Sequence, residues 1–256
     1  MTKEYSLNLK RNAIDSLQES IKYYQLGVAD ETKYKFCIIL YFHFVELLLK
    51  RCVELANPLL CFERPYAEKI DTSKSITWEQ AINILNNLKQ RFDPNLRMKI
   101  VLLAKTRNSI IHYSFNYQTN EIRSLIAETL SGLSLYYDEA SGDCLLNEVD
   151  KLTKQLLEEI QTDNAREVHL AQAEASEKAS DNECEIEDCE ICGESRTAVN
   201  VNGDIHCYFC KETDTLEECG RCTTSMRRSE MEFFGETEDG NTIFMCDSCL
   251  SWMDSQ

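Results

Sequence analysis

The chain has no uninterrupted apolar run of 18 residues, the length a helix needs to cross a bilayer, so no membrane span is expected. The nearest approach, "KFCIILYFHFVELLLK" (35–50), is broken by His43 and Glu46. The opening "MTKEYSLNLKRNAIDS" lacks the apolar centre of a secretory signal, and the protein reads as cytoplasmic. Period-two alternation is nearly absent from the first 160 residues, which argues against a sheet there. Basic residues are scarce in the last third. Residues 161–256 hold 7 Lys and Arg against 23 Asp and Glu, whereas 1–160 hold 20 against 21. Phosphate attraction needs Lys and Arg, so the C-terminal region is a poor non-specific nucleic-acid binder; "RCTTSMRR" is its only basic cluster. The acidic surface suits a protein partner or inhibitor better.

What fills the first 160 residues is helical periodicity. In "SLNLKRNAIDSLQESIKYYQLG" (6–27), Leu9, Ala13, Leu17, Ile21 and Tyr24 form one stripe, and Gly27 is placed to end the helix. "ETKYKFCIILYFHFVELLLKRCVELAN" (31–57) is apolar around most of its circumference and should be the central helix, with His43 a hydrogen-bonded core histidine and Cys37 and Cys52 small core residues. Thr77 and Gln80 have capping-box spacing. Asp93-Pro94 opens a further helix, and 119–140 and 144–160 supply two more. The fold expected is an all-α antiparallel bundle over 1–160. A linker rich in Ala, Glu and Ser follows at 161–188, helical at most in its first half.

The 13 cysteines are unevenly spread. Nine lie in 184–249, and eight of those form four Cys-x-x-Cys pairs: Cys189/Cys192, Cys207/Cys210, Cys219/Cys222 and Cys246/Cys249. In a reducing compartment this means metal rather than disulfide. Each consecutive two pairs brackets a hairpin signal, Asn202-Gly203 in one and Asp239-Gly240 in the other. Two β-hairpin zinc ribbons, 189–213 and 216–256, each closing four thiolates on a structural Zn²⁺, are expected. An interleaved cross-brace would use the same eight ligands; the complete hairpin within each sequential unit favours ribbons. A closed four-thiolate site has no open position for catalysis. His206, beside Cys207, reads as a strand histidine rather than a ligand.

Within the bundle, "KTRNSIIHYSF" (105–115) sets Arg107, Asn108 and His112 into an apolar helix. "RNSIIH" (107–112) resembles the R-x4-6-H motif of the HEPN superfamily. "FHFVELLLKRCVEL" (42–55) is similar to the second helix of those domains and "SITWEQAINIL" (75–85) to the start of the third. The resemblance covers about residues 5–140. It implies a homodimer whose motifs face a shared cleft and, in many members, a metal-independent endoribonuclease of toxin or antiviral defence systems; other members are binding or assembly modules. RNA brings its own nucleophile, the 2′-OH. His112 would move the proton, Arg107 would clamp the phosphoryl oxygens and Asn108 would orient the imidazole. Lys105 and Tyr113 would contact substrate, and Arg97, Lys99, Lys50 and Arg51 would add positive charge. Glu46, four residues before Lys50, reads as a helical ion pair. Where some members carry His-x-Tyr, this chain has Ser114, and Tyr113 follows His112 directly. Positions five apart lie ~140° apart on a straight helix, so Arg107 reaches His112 only by wrapping round or across a dimer. The alternative is a non-catalytic adaptor that dimerises through the bundle and captures partners with its ribbons. A weaker third reading is a zinc-dependent transcription or RNA-processing factor.

Overall fold

The computed structural model describes residues 8–88, 92–112, 119–236 and 242–254. The chain divides into two compact units, Met1–Asn164 and Ala165–Gln256.

The first unit is helical. α1 (Leu9–Ala29) starts on Asn8, whose side chain accepts the Arg11 N–H, and buries Ala13, Leu17, Ile21 and Tyr24 as one stripe. Gly27 does not end it. The helix runs two residues further, and Gly27 instead admits the Tyr34 ring, which a Cβ there would meet at 2.5 Å. α2 (Tyr34–Ala56) is the central element, touching α1, α3, α4 and α5 and burying most of its circumference, including Cys37 and Cys52. α3 (Trp78–Asn87) carries the complete Thr77/Gln80 capping box. α4 (Pro94–His112) begins after Asp93, whose carboxylate accepts the Asn95 N–H. α5 (Thr119–Ser141) packs on α2 and α4. Tyr41, fully buried, donates or accepts at Thr129 Oγ1 (2.9 Å) and reaches the Ile126 carbonyl (2.9 Å), tying α2 to α5.

His43 departs from expectation. It faces solvent rather than the core, with Nδ1 3.0 Å from Ser16 Oγ. Its position lies on the narrow exposed strip that even this apolar helix retains.

The helix expected from 144 starts later and ends later. A 3₁₀ turn occupies Leu145–Asn147, and α6 (Lys151–Asn182) begins where Asp150 caps it, accepting from the Thr153 N–H and hydroxyl at 2.9 Å each. α6 continues through most of the segment read as a linker. Its later turns have a use: Ala171, Ala175 and Ala179 form a stripe at four-residue spacing, buried against Val199 and Phe209 and their neighbours in the second unit. Small side chains let a helix lie close on a sheet, so the alanines that look like linker composition are a packing face.

The rest of the second unit is β-structure. β1 (Ile186–Glu187), β2 (Ala198–Val201), β3 (Asp204–Cys207) and β4 (Thr213–Asp214) form one antiparallel sheet in that order. β2 and β3 join through Asn202 (φ 57°) and Gly203 (φ 101°), the left-handed pair that a tight hairpin requires. β5 (Leu216–Glu218) pairs with β6 (Ser225–Arg227), and β7 (Met231–Glu236) with β8 (Thr242–Cys246). The Asp239-Gly240 turn expected between the last two lies outside the described residues. α7 (Asp247–Asp254) closes the chain. No described helix is long and apolar enough to cross a membrane.

Candidate functional site

The eight paired cysteines assemble sequentially into two groups, Cys189/Cys192/Cys207/Cys210 and Cys219/Cys222/Cys246/Cys249, the sulfurs of each lying within 4.8 Å of one another. The cross-brace is therefore not adopted. The backbone explains how. In three of the four pairs the first cysteine's N–H donates to the carbonyl five residues on (Glu194, Glu212, Thr224), and its own carbonyl accepts from the N–H four residues on (Gly193, Lys211, Thr223). That fourth residue is left-handed each time, with φ of 72°, 63° and 57°. The turn aims both thiols of a pair to one side. The last pair is built differently: Cys246 ends β8 and Cys249 sits in the first turn of α7.

The sulfur spacing fits a tetrahedral ion. Cys189–Cys210, Cys192–Cys207 and Cys219–Cys246 are each 3.8 Å apart, and Cys222–Cys246 3.9 Å. A tetrahedron with metal–sulfur arms of ~2.3 Å has edges of ~3.8 Å. Each group can therefore hold one metal ion. Four thiols at this distance resist full ionisation alone. In the first group, shared protons push Cys192 up, through its bond to Cys189 first, and leave Cys207 well below an ordinary thiol. In the second, the N–H groups of Cys222, Cys246 and Arg221 draw Cys219 down to about 6, while the Cys246 thiol raises Cys249 to about 12. A divalent cation bound to all four sulfurs eases that conflict, offsetting two of the four negative charges and letting each thiol give up its proton.

Supporting groups around the sulfurs were not legible in the sequence. Thr197, fully buried, sets its hydroxyl 3.3 Å from Cys207 Sγ. Arg227 reaches from the second group's β6 to the Gly203 carbonyl and, at 3.0 Å, the Asp214 carbonyl; the buried Asp214 carboxylate in turn accepts from Ser229 N–H and Oγ at 3.0 and 2.7 Å. His206 bonds Thr213 Oγ1 and is outside both groups, as is Cys184.

On α4 the structure brings Arg107 and Asn108 together: the guanidinium donates to Asn108 Oδ1 at 2.9 Å and lies 5.7 Å from the Phe42 ring of α2. Asn108 and Lys105 face solvent, and Met98 and Ile111 are 40% and 45% exposed. The helix includes position 112, one turn beyond Asn108 and therefore at the same face by register. The His112 side chain and all of Tyr113 lie outside the described residues. Phe42 was missed because aromatic residues on the most apolar helix look like core alone. The electrostatic expectation needs correction. Lys99 is buried and paired with Glu128 at 2.5 Å; Lys50 is buried on Glu46 at 2.7 Å and Ser75 at 3.0 Å; Arg51 is held by Glu54 at 2.6 Å. These cations neutralise carboxylates of the unit itself and add little outward field, which leaves Lys105, Arg107 and Arg97.

No protein-family model, curated protein or solved structure matches the chain.

Proposed function

We propose that the helical unit is a HEPN-type RNA endonuclease that works as a homodimer through α4, and that the two cysteine groups hold structural Zn²⁺ and serve partner or substrate selection. The observation that carries this reading is the polar pair on α4. Arg107 and Asn108 are hydrogen-bonded at a half-exposed position, one turn from residue 112, with the exposed Ile111 on the next turn as an apolar border. An isolated helix face has little use for a guanidinium joined to an amide within an apolar border. A second copy brought against that border would double the set and place each guanidinium across from the other chain's position 112, which removes the ~140° separation along one helix.

In this reading His112 moves the proton of the 2′-OH, and Arg107, held in place by Asn108 and Phe42, meets the charge that gathers on the phosphoryl oxygens. The products are a 2′,3′-cyclic phosphate and a 5′-hydroxyl, and no metal takes part. A toxin or antiviral defence setting goes with the resemblance, and a cytoplasmic location with the lack of an apolar signal segment. The test is incubation of the dimeric protein with total tRNA and mRNA in EDTA, with mapping of the ends. Arg107→Ala and His112→Ala should each lower cleavage by ~10²-fold or more while leaving the dimer intact.

The adaptor reading has its own support, the withdrawal of Lys50, Arg51 and Lys99 into internal ion pairs, which leaves little field for RNA. It expects no cleavage by the parent protein and dimerisation that fails when Met98 and Ile111 are made polar.

A further inference from the structure

The two four-cysteine groups have the same ligand set and different surroundings. In the first, Cys189, Cys207 and Cys210 are buried and Cys192 is half-buried; the four-stranded sheet and the alanine stripe of α6 pack around them. In the second, three sulfurs are buried and Cys222 is exposed. Its packing is slighter, two strand pairs and the short α7, with Met231 and Met245 the buried non-cysteine members of its cluster. Cys222 sits in the turn "CGRC", and the Arg221 beside it is stacked on Trp252, 3.5 Å from the ring centroid. Of the eight grouped cysteines Cys222 alone is exposed, so a small oxidant reaches its sulfur before the others.

We propose that the second group is a peroxide-sensitive, exchangeable metal centre, that Cys222 is the thiolate that reacts first, and that opening this centre releases the second module's hold on the first. The Cys222 thiolate attacks the O–O bond of a hydroperoxide, keeping one oxygen as a sulfenic acid while hydroxide (or alkoxide) leaves. The Cys246 thiolate, 3.9 Å away, then attacks the Cys222 sulfur, forming an S–S bond and expelling a second hydroxide. Two thiolates lose two electrons, the peroxide gains them, and two of four ligands are gone.

The hold is the Arg227 contact. Cys219 and Cys222 sit between β5 and β6, and β6 ends on Arg227, which binds the Gly203 carbonyl in the first module's hairpin turn and the Asp214 carbonyl on β4. Ser229 adds two bonds to the buried Asp214 carboxylate. In this proposal, a turn that rearranges at Cys222 shifts the β6 strand paired with β5 and loosens these contacts. Chemistry at Cys222 thus reaches a turn that carries no ligand of its own.

The test uses the full chain loaded with two Zn²⁺ and treated with an excess of hydrogen peroxide in the presence of a chromogenic chelator. One metal per chain should appear at least ~10-fold faster than the second. Alkylation and peptide mapping should find Cys222 and Cys246 lost before any of Cys189, Cys192, Cys207 and Cys210. Equal rates, or earlier loss from the first group, overturn the proposal. Cys222→His keeps four ligands and removes the exposed sulfur, so it should slow the first phase by ~10-fold; an unchanged rate overturns the role of Cys222. After the first phase, amide exchange at 198–207 should rise, and unchanged protection there overturns the coupling through Arg227. A chain that holds no metal refutes the zinc assignment, and RNA cleavage in EDTA stands or falls apart from all of these results.

Discussion

Thr223 adopts φ 57° in the turn after Cys222. A left-handed conformation strains a β-branched residue more than any other type, and Gly193 fills the equivalent place in the first group without that strain. Thr223→Gly should therefore stabilise the metal-loaded second unit by about 1 kcal/mol, read as a rise in its unfolding midpoint; a fall would show that the threonine contributes something the turn geometry does not explain. The same scale governs Lys99, 6% exposed and paired with Glu128. Glu128→Ala strands a buried ammonium and should cost about 2–3 kcal/mol, less than a fully buried pair because Glu128 is itself partly exposed. Lys99→Met, which removes the charge and keeps the stem, should cost under ~1 kcal/mol in the same denaturant titration. This pair was read from sequence as a cation available to RNA. A lysine's direction around its helix is not visible until the neighbouring helix is placed, and here α5 supplies the carboxylate.

At the level of elements, the capping box of α3 and the Asp93-Pro94 start of α4 were legible because their signals are local: a side chain meets a backbone N–H two or three residues away. Gly27 was misread for the opposite reason. Its meaning is the Tyr34 ring seated against α1, a contact between two helices. Helix propensity alone would make Gly27→Ala stabilising by ~1 kcal/mol. Displacement of a ring that is 3% exposed and set edge-on to Tyr24 at 5.7 Å should outweigh this, for a net loss of up to ~2 kcal/mol. A higher melting temperature for Gly27→Ala would show the ring shifts freely. Likewise the alanines of α6 could not declare a packing face before the sheet they cover was known. Arg107 and Asn108 stood out in the sequence as polar residues in an apolar helix; their hydrogen bond and the stack on Phe42 needed α2 and α4 side by side.

Over the whole molecule, the two units rest on different physics. The first buries a continuous apolar core from Ala13 to Ile160; the second has three small clusters, two of them built largely of cysteine. Removal of metal should leave the helices of residues 8–164 folded and abolish the protection of the sheets between 186 and 246, because the ion that ties the paired turns together is gone and little apolar core remains to replace it. Hydrogen exchange before and after chelation measures this directly, and sheets that stay protected without metal would assign their stability to the alanine stripe of α6. The charge split belongs to this scale too. A near-neutral helical unit and a strongly acidic second one differ in the partners they can attract, and that was fully present in the order of residues.

The sequence by itself determined the helical class of the first unit, the eight cysteines that form the two groups and the hairpin at Asn202-Gly203, because periodicity, cysteine spacing and turn chemistry act over a few residues. Tertiary structure alone decided that the cysteines group sequentially, that Lys50, Arg51 and Lys99 are tied to carboxylates of the same unit, that Cys222 is the exposed sulfur and that Arg227 binds the first module's turn. Each of those depends on which segments lie against one another, and burial and charge pairing do not exist for a side chain until they do.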